Sequence, residues 1–495
     1  MLFQRSSIAQ HDIHFYLKII SISADCDCFI FLRVPILIGV TSSIKTQRII
    51  NSFFTRPSGK ILFGFLILKL CLAALTMQFP LGAVTPDSIE YLALARSLRE
   101  TGQYQSGDRG IDDIVRTPGY SAFIATLLPD NDTSSYARVT IVQLALSGIT
   151  TLLIYYIAFK LGNPNAGMFA AWIHALSLNG ILWSLTLMSE TLFSLLLVIA
   201  LIFSLFFIQG RNLWSLFFSG VVLGLAALTR PIGLFLILIW AVVMVVCFRR
   251  FEIRRRWKAI IPVLLIGSGL VILPWMVRNA IVHNHFTVST VGGKTLTGFN
   301  LAEVLAESEG ISRNEAVTML AEKGDVWTQF TWIFSRNPLG FMRVQVVGIT
   351  RVVAGLEAGQ LRGVVGLGIW EGLGILENLF KGQISNAIAS IREQFSSVDR
   401  MLVFLVFLFG MVHSFFLWLL TLRGALGGSK EKDAVLTIIM LSIFTSAYLV
   451  LSGGAAGQAR FRVPAEPFLS LIAGFGYVMH LRRRKASLSK KTAIV

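Results

Sequence analysis

Residues 190–209 read ETLFSLLLVIALIFSLFFIQ, with Ser189 just before them and Arg211 just beyond Gly210. Apart from Glu190 at its first position, the stretch carries no charge. Twenty residues at about 1.5 Å each make about 30 Å of helix, the thickness of a bilayer's hydrocarbon core. Backbone groups in hydrocarbon must be satisfied within the segment, so this stretch is a membrane-crossing helix. Working outward, comparable apolar runs lie at 61–82, 137–159, 166–187, 213–229, 231–248, 259–277, 400–421, 433–452 and 464–481. The chain reads as an all-α polytopic membrane protein with about ten transmembrane helices.

The composition agrees. The 495 residues are 54% hydrophobic and only 14% charged, against about 25% charged in an average soluble domain. The formal charge of +17 suggests nucleic acid at first sight. The basic residues, however, cluster at the ends of apolar runs, as topology signals do, and form no phosphate-tracking stripe. Lys45, Arg48, Arg56 and Lys60 precede the first run; Lys160 follows the second and Arg211 the fourth. Arg249, Arg250, Arg254, Arg255, Arg256 and Lys258 follow the sixth. Arg423, Lys430 and Lys432 follow the eighth, and Arg482 to Lys485 the tenth. With both termini inside, all of these fall on the cytoplasmic side. No nucleic-acid partner is expected. The four cysteines, Cys26, Cys28, Cys71 and Cys247, form no disulfide framework and no zinc spacing.

This topology divides the chain. Residues 1–58 form an N-terminal cytoplasmic or interfacial segment. Residues 59–299 form a transmembrane core that includes an outer loop at 83–136. Residues 300–399 form an outer region with amphipathic helices, and 400–495 the last transmembrane helices and a basic tail. Two long outer segments over tightly connected spans place the working face outside.

The first outer loop opens with Thr85-Pro86-Asp87-Ser88. Thr85 suits a helix cap and Pro86 the first helical position. Tyr91, Leu94, Ala95 and Leu98 then recur on one face, and Gly102 ends the helix. Such a helix after a span lies along the membrane interface. Asp87, four residues before Tyr91, shares the inward face. It either complements the helix dipole or acts as a general base for an acceptor hydroxyl. Arg116-Thr-Pro-Gly-Tyr120 follows, with a turn expected at Pro118-Gly119 and a short helix at 121–128. Taken alone, Arg116 is an exposed loop cation.

Charges recur at the outer ends of spans: Glu190, Arg230, Arg278 with Asn279, then Arg460, Arg462 and Glu466. Each arginine singly could snorkel to headgroups. Four of them on the side that the positive-inside rule disfavours call for an anionic partner, and guanidinium pairs naturally with phosphate. His283 and His285 have a possible metal spacing but no third ligand. No HExxH, P-loop or GxSxG motif stands out.

These pieces together resemble the GT-C membrane glycosyltransferases related to protein O-mannosyltransferases and to the lipid A aminoarabinose transferase. Asp87-Ser-Ile-Glu-Tyr91 is similar to their first-loop pattern, and Arg116-Thr-Pro-Gly-Tyr120 to the R-x-P-x-Y segment that follows. Ser189-Glu190 resembles the acid that opens their fourth span. Gly224-Leu-Ala-Ala-Leu-Thr-Arg230-Pro231 resembles G-L-x-x-L-x-R-P. Pro274-Trp275-Met-Val-Arg278-Asn279 and Ser289-Thr-Val-Gly-Gly293 resemble P-W-x-x-R-N and S-T-x-G-G. Arg460-Phe-Arg462-Val-Pro464-Ala-Glu-Pro467 resembles the closing R-x-R-x-P-x-x-P. The ordered set, across about 85–470, is the specific signal; 1–58 lies outside it, and 300–400 matches only loosely.

The resemblance implies an inverting glycosyltransferase of a GT-C-like fold. A polyprenyl-phosphate-linked sugar is the implied donor and a lipid, glycan or protein hydroxyl the acceptor. It implies Asp87 as base, and Arg230, Arg278, Arg460 and Arg462 as holders of the lipid phosphate. Tyr91, Arg116, Tyr120, Glu190 and Asn279 would position the acceptor or the arginines. Some relatives carry an acid near the R-x-P-x-Y segment that touches a divalent metal. Here that place holds Arg116, with Asp112 and Asp113 just upstream as weak candidates, so a divalent metal is an open expectation and no other cofactor is implied. The expected setting is a bacterial inner membrane with a periplasm-facing site. The rival readings are a transporter or flippase of a lipid-linked anionic glycan, and a ligase or polymerase of lipid-linked glycans. A transporter would want a midplane pathway and broken helices, whereas these spans are expected to keep their charges at their ends.

Overall fold

The computed structural model of the protein describes residues 43–105, 114–128, 134–250, 257–355, 358–366, 378, 382–427 and 433–492, and no strand occurs among them. Seven helices are long and apolar enough to cross a membrane: Pro57–Gln78, Ser135–Lys160, Glu190–Gly210, Gly233–Arg250, Trp257–His283, Arg400–Leu426 and Asp433–Leu451. The pair Pro164–Ala175 and Leu178–Ser184 makes an eighth if counted as one span, bent by 58°. The chain is an integral, multi-pass membrane protein.

The expected count of ten is not reached by length and apolar composition. Leu213–Thr229 is apolar but has 17 residues, about 26 Å of helix against a core of about 30 Å. Glu466–Thr492 starts on an acid and runs into the basic tail. The first span begins at Pro57, earlier than its apolar run, because proline fits the first helical turn. Of residues 1–58, only those from Ser43 are described, where Ser43–Phe54 is helical; Cys26 and Cys28 lie outside the described residues.

Membrane helices gain little from hydrophobicity against lipid, so close backbone approach matters. Leu213–Thr229 and Trp257–His283 show it: a Cβ on Gly220 would fall 2.5 Å from the Leu264 carbonyl oxygen, and one on Gly267 2.3 Å from that of Phe217. The interior is apolar and aromatic, with Trp240, Phe193 and Phe468 buried and Phe207 stacked on Phe248 at 5.1 Å. Outward, Ile61, Leu68, Ile266, Leu270 and Phe415 are exposed, as a lipid-facing surface requires. Beyond Arg278, Ala302–Glu309, Arg313–Ala321, Val326–Arg336 and Pro338–Ala354 bury Leu305, Leu320, Ile333 and Val344 in a cluster of their own.

One expectation fails inside the spans. Lys69 lies within Pro57–Gln78, buried, and its ammonium donates to Ser147 Oγ at 2.9 Å. Charges are therefore not confined to span ends. This one is bonded and packed between helices.

Candidate active site

The first outer-loop helix is built as its sequence dictates. Thr85 and Ser88 form a reciprocal capping box, Pro86 opens Pro86–Thr101, and Gly102 closes it in the left-handed conformation, φ 69°. Tyr91, Leu94 and Ala95 are buried on its inner face. Asp87, in its first turn, is thereby fixed at the edge of that face.

Arg116 and Arg460 reach Asp87 from two other segments. Arg116 Nη2 donates to Asp87 Oδ1 at 2.7 Å, and Arg460 Nη1 lies 2.7 Å from Oδ2. Arg116 also donates through Nε to Glu90 at 2.6 Å, and its guanidinium lies over the Tyr91 ring at 5.1 Å. Arg116 is thus no exposed loop cation; its side chain is 16% exposed, clamped between two acids. Burial pushes the Asp87 carboxyl up, but the charges of Arg460 and Arg116 and their hydrogen bonds outweigh it and hold the group below its ordinary 3.8.

A second pair adjoins the first. Arg230 Nη1 lies 2.5 Å from Glu190 Oε1 and donates to Ser189 Oγ at 3.2 Å. Ser189 Oγ is also 3.4 Å from the Tyr91 hydroxyl, which links this pair to the Asp87 helix. Glu190 is fully buried, and its Oε2 has no hydrogen-bond partner among the described residues. Arg230 and Arg460 flank the same ring, Phe461, at 5.8 and 5.2 Å. Arg460 also faces Trp183 at 5.8 Å, and its Nε is buried without a hydrogen-bond partner among the described residues. Three acids (Asp87, Glu90, Glu190) and three arginines (Arg116, Arg230, Arg460) therefore share one patch.

The remaining motifs hold this patch in place. Ser289 Oγ donates to the Val115 carbonyl, and the Thr290 amide to that of Ile114 at 3.0 Å. The S-T-x-G-G segment thus pins the backbone that carries Arg116. Arg278 donates to Asn279 Oδ1 at 3.0 Å and to the Tyr104 carbonyl at 3.4 Å, and lies over Trp275 at 4.9 Å. Asn279, fully buried, donates to the Thr287 carbonyl at 2.8 Å. Tyr104 in turn donates to the Thr117 carbonyl at 3.0 Å. Arg278 is joined to the patch through Tyr104 and, by way of Asn279 and Thr287, through the Ser289 segment.

Pro118 and Gly119 form no separate turn; they open the helix Pro118–Ala125, which Thr117 precedes in an extended conformation. Tyr120, fully buried, donates to Gln143 at 2.7 Å and meets Tyr91 edge to face at 4.9 Å. A Cβ on Gly119 would sit 2.7 Å from the Leu228 carbonyl oxygen, so only glycine lets this helix touch the turn that carries Arg230. Gly119→Ala is expected to push the two segments apart and to reduce activity at least tenfold, since small misplacements cost that much. Transfer rates alongside thermal unfolding in detergent check it; unchanged values of both would mean that the contact is slack.

Two expectations change. Arg462, two residues from Arg460, is 1% exposed and spends its donors on Glu466 (3.1 Å), Ser414 (3.0 Å) and the Val352 and Val353 carbonyls. It braces the last helix and has no face left for a phosphate, because the short helical stretch Ala459–Ala465 turns the two arginines to different sides. Asp112 and Asp113 lie outside the described residues. Among the described residues no group of three His, Cys, Asp or Glu could hold a metal, and that includes His283 and His285. Sequence reading gave no role to Glu90, Trp183, Ser189 or Phe461. Glu90 had a signal, three residues after Asp87 on one helix; the two aromatics had none.

Residues 118–277 match the family model of dolichyl-phosphate-mannose-protein mannosyltransferases. The match takes in Tyr120, Glu190 and Arg230, and it bears out the resemblance read from the ordered motifs. No curated protein matches the chain in sequence. Among solved structures, the oligosaccharyltransferase AglB of Archaeoglobus fulgidus, in complex with an inhibitory peptide and a dolichol-phosphate, is similar at 12% identity. The likeness covers 87% of this chain and 52% of that one, with a TM-score of 0.45. ArnT of Cupriavidus metallidurans, bound to undecaprenyl phosphate, is similar at 11% identity over 86% of this chain and 79% of ArnT, with a TM-score of 0.37. The chain spans about half the length of AglB.

Proposed function

We propose that this chain, a membrane glycosyltransferase of the GT-C type, moves a sugar from a polyprenyl-phosphate donor to an acceptor hydroxyl with inversion. The observation that carries this reading is Asp87 at a helix start, its two oxygens facing Arg116 and Arg460 at 2.7 Å each. A carboxylate beside several arginines at a membrane border suits a reaction that takes up one proton and releases one phosphate.

In this reading the acceptor oxygen bonds to the anomeric carbon from the face opposite the phosphate. The bond from that carbon to the phosphate oxygen breaks, and the hydroxyl proton passes to Asp87. Arg460 and Arg230 stabilise the charge that grows on the departing phosphate, with Arg278 further along the same side. Arg116 holds the carboxylate ionised and oriented. Its partner Glu90 and the pair Tyr91–Ser189 keep the helix start in register, and Glu190 keeps Arg230 extended toward the patch. Tyr120 and Asn279 act at one remove by fixing the segments that carry these groups.

The purified chain in lipid nanodiscs, given a synthetic undecaprenyl-phosphate sugar and a panel of lipid, glycan and peptide hydroxyls, is expected to yield free undecaprenyl phosphate and a glycosylated acceptor. Mass spectrometry reads both products. Movement of the donor between leaflets without either product would favour a flippase instead.

A further inference from the structure

A cavity of about 550 Å³ lies far from Asp87. Arg56 and Ser58 line it, at the start of the 22-residue helix Pro57–Gln78 whose other end leads into the Asp87 loop. That places it about 33 Å of helix away from the candidate active site, on the side where the basic loops lie. Asn163 and Asn165 complete its polar rim, and Phe169, Trp172, Tyr477 and Leu481 are among the apolar groups that line the rest.

We propose that this cavity binds the phosphate headgroup of a membrane lipid, with the first carbons of the lipid's chain against the aromatic wall. Two features point to an anion, and the size to a small molecule. Arg56 donates to a neutral group, Asn165 Oδ1, at 2.5 Å, and among the described residues no acidic one lines the cavity. Two helices, Pro57–Gln78 and Pro164–Ala175, start at it, and their N-terminal partial charges add to that of Arg56. The volume falls within the usual range of small-molecule sites, about 300–1,000 Å³. The wall then distinguishes a lipid from a soluble anion. Phe169 and Tyr477 stack at 4.0 Å into a flat apolar face beside Trp172; inorganic phosphate gains nothing from such a surface, and a hydrocarbon chain does. The inference does not depend on the transferase chemistry.

The test titrates the full chain, purified in nonionic detergent, with phosphatidylglycerol brominated in its acyl chains, and follows tryptophan quenching. Subtracting the Trp172→Phe signal isolates the cavity. The expected result is saturable Trp172-dependent quenching whose half-point rises about tenfold in Arg56→Gln, the loss of one charged hydrogen bond, and rises also in Asn165→Asp, which brings a negative charge to the rim. Brominated diacylglycerol, which lacks the phosphate, is expected to quench only at far higher concentration. Equal half-points for the two lipids, or no change in both variants, would overturn the proposal. Displacement of the lipid by inorganic phosphate at the lipid's own concentration would overturn its lipid half and mark a soluble-anion site.

Discussion

Asp87→Asn is expected to all but abolish sugar transfer while leaving the chain inserted and able to hold its donor. Asparagine keeps the shape of the side chain but cannot take a proton from the acceptor. General-base catalysis contributes about 10²- to 10⁴-fold, and that is the expected loss in single-turnover rate. The fold should survive. The Asp87 side chain is 27% exposed and its two arginines 16% and 15%, so solvent still reaches both guanidinium groups and the lost charge leaves no fully buried cation behind. The amide oxygen still accepts from one arginine, while the amide nitrogen turns the other away. The displaced guanidinium then faces the phosphate with less competition, so donor affinity holds or rises. Single-turnover transfer and equilibrium donor binding, measured on one preparation, check both halves. Near-normal turnover would remove Asp87 from the chemistry and leave it as a helix-start acid that orders two arginines.

How much of this was legible in the sequence depends on how local each cause is. The helix that bears Asp87 was, because Thr85, Pro86 and Gly102 act within a turn of themselves. The apolar runs were too, since length against bilayer thickness is a one-dimensional test. Their number was less so: a 58° bend between Ala175 and Leu178 and a 17-residue helix fall between clear cases. Arg460 and Arg462 mark the limit. Both sit before the last helix with the same chemistry, yet one meets Asp87 at 2.7 Å and the other is sealed against Glu466 and two carbonyls. Only the path of the backbone through Ala459–Ala465 separates them. Arg116 departs from its simplest reading in the opposite direction. A loop cation seemed the ordinary reading until Ser289 and Thr290, over 170 residues away, pinned its backbone beside Asp87.

Arg460→Ala is expected to do two things that no single simple role explains. In the proposed function Arg460 holds the donor phosphate, so its loss should raise the donor KM about ten- to a hundredfold, the worth of one charged hydrogen bond. It also faces Asp87 Oδ2. Burial raises the Asp87 pKa, and Arg460 is the first of the charges that reverse this. With Arg460 absent, Arg116 alone opposes burial and the carboxyl pKa moves up. In the intact chain Asp87 lies below 3.8, so it stays ionised at neutral pH, and any acid limb it gives to kcat/KM falls below the ordinary carboxylate range. In Arg460→Ala that limb moves to higher pH. The sign for stability is the same: the ion pair's contribution is present above the unfolded-state pKa and is lost as pH falls through the depressed folded one. The variant should therefore show less acid destabilisation from this group. In the proposed function the same coupling would act on the intact enzyme. A phosphate that draws Arg460 away from Asp87 makes the carboxylate a better base at the moment when donor is present, so binding would prepare the proton acceptor. A pH profile of kcat/KM for both forms decides this. A raised KM with an unmoved acid limb would mean that Arg460 serves the donor alone, and an unmoved KM with a shifted limb that it serves only Asp87.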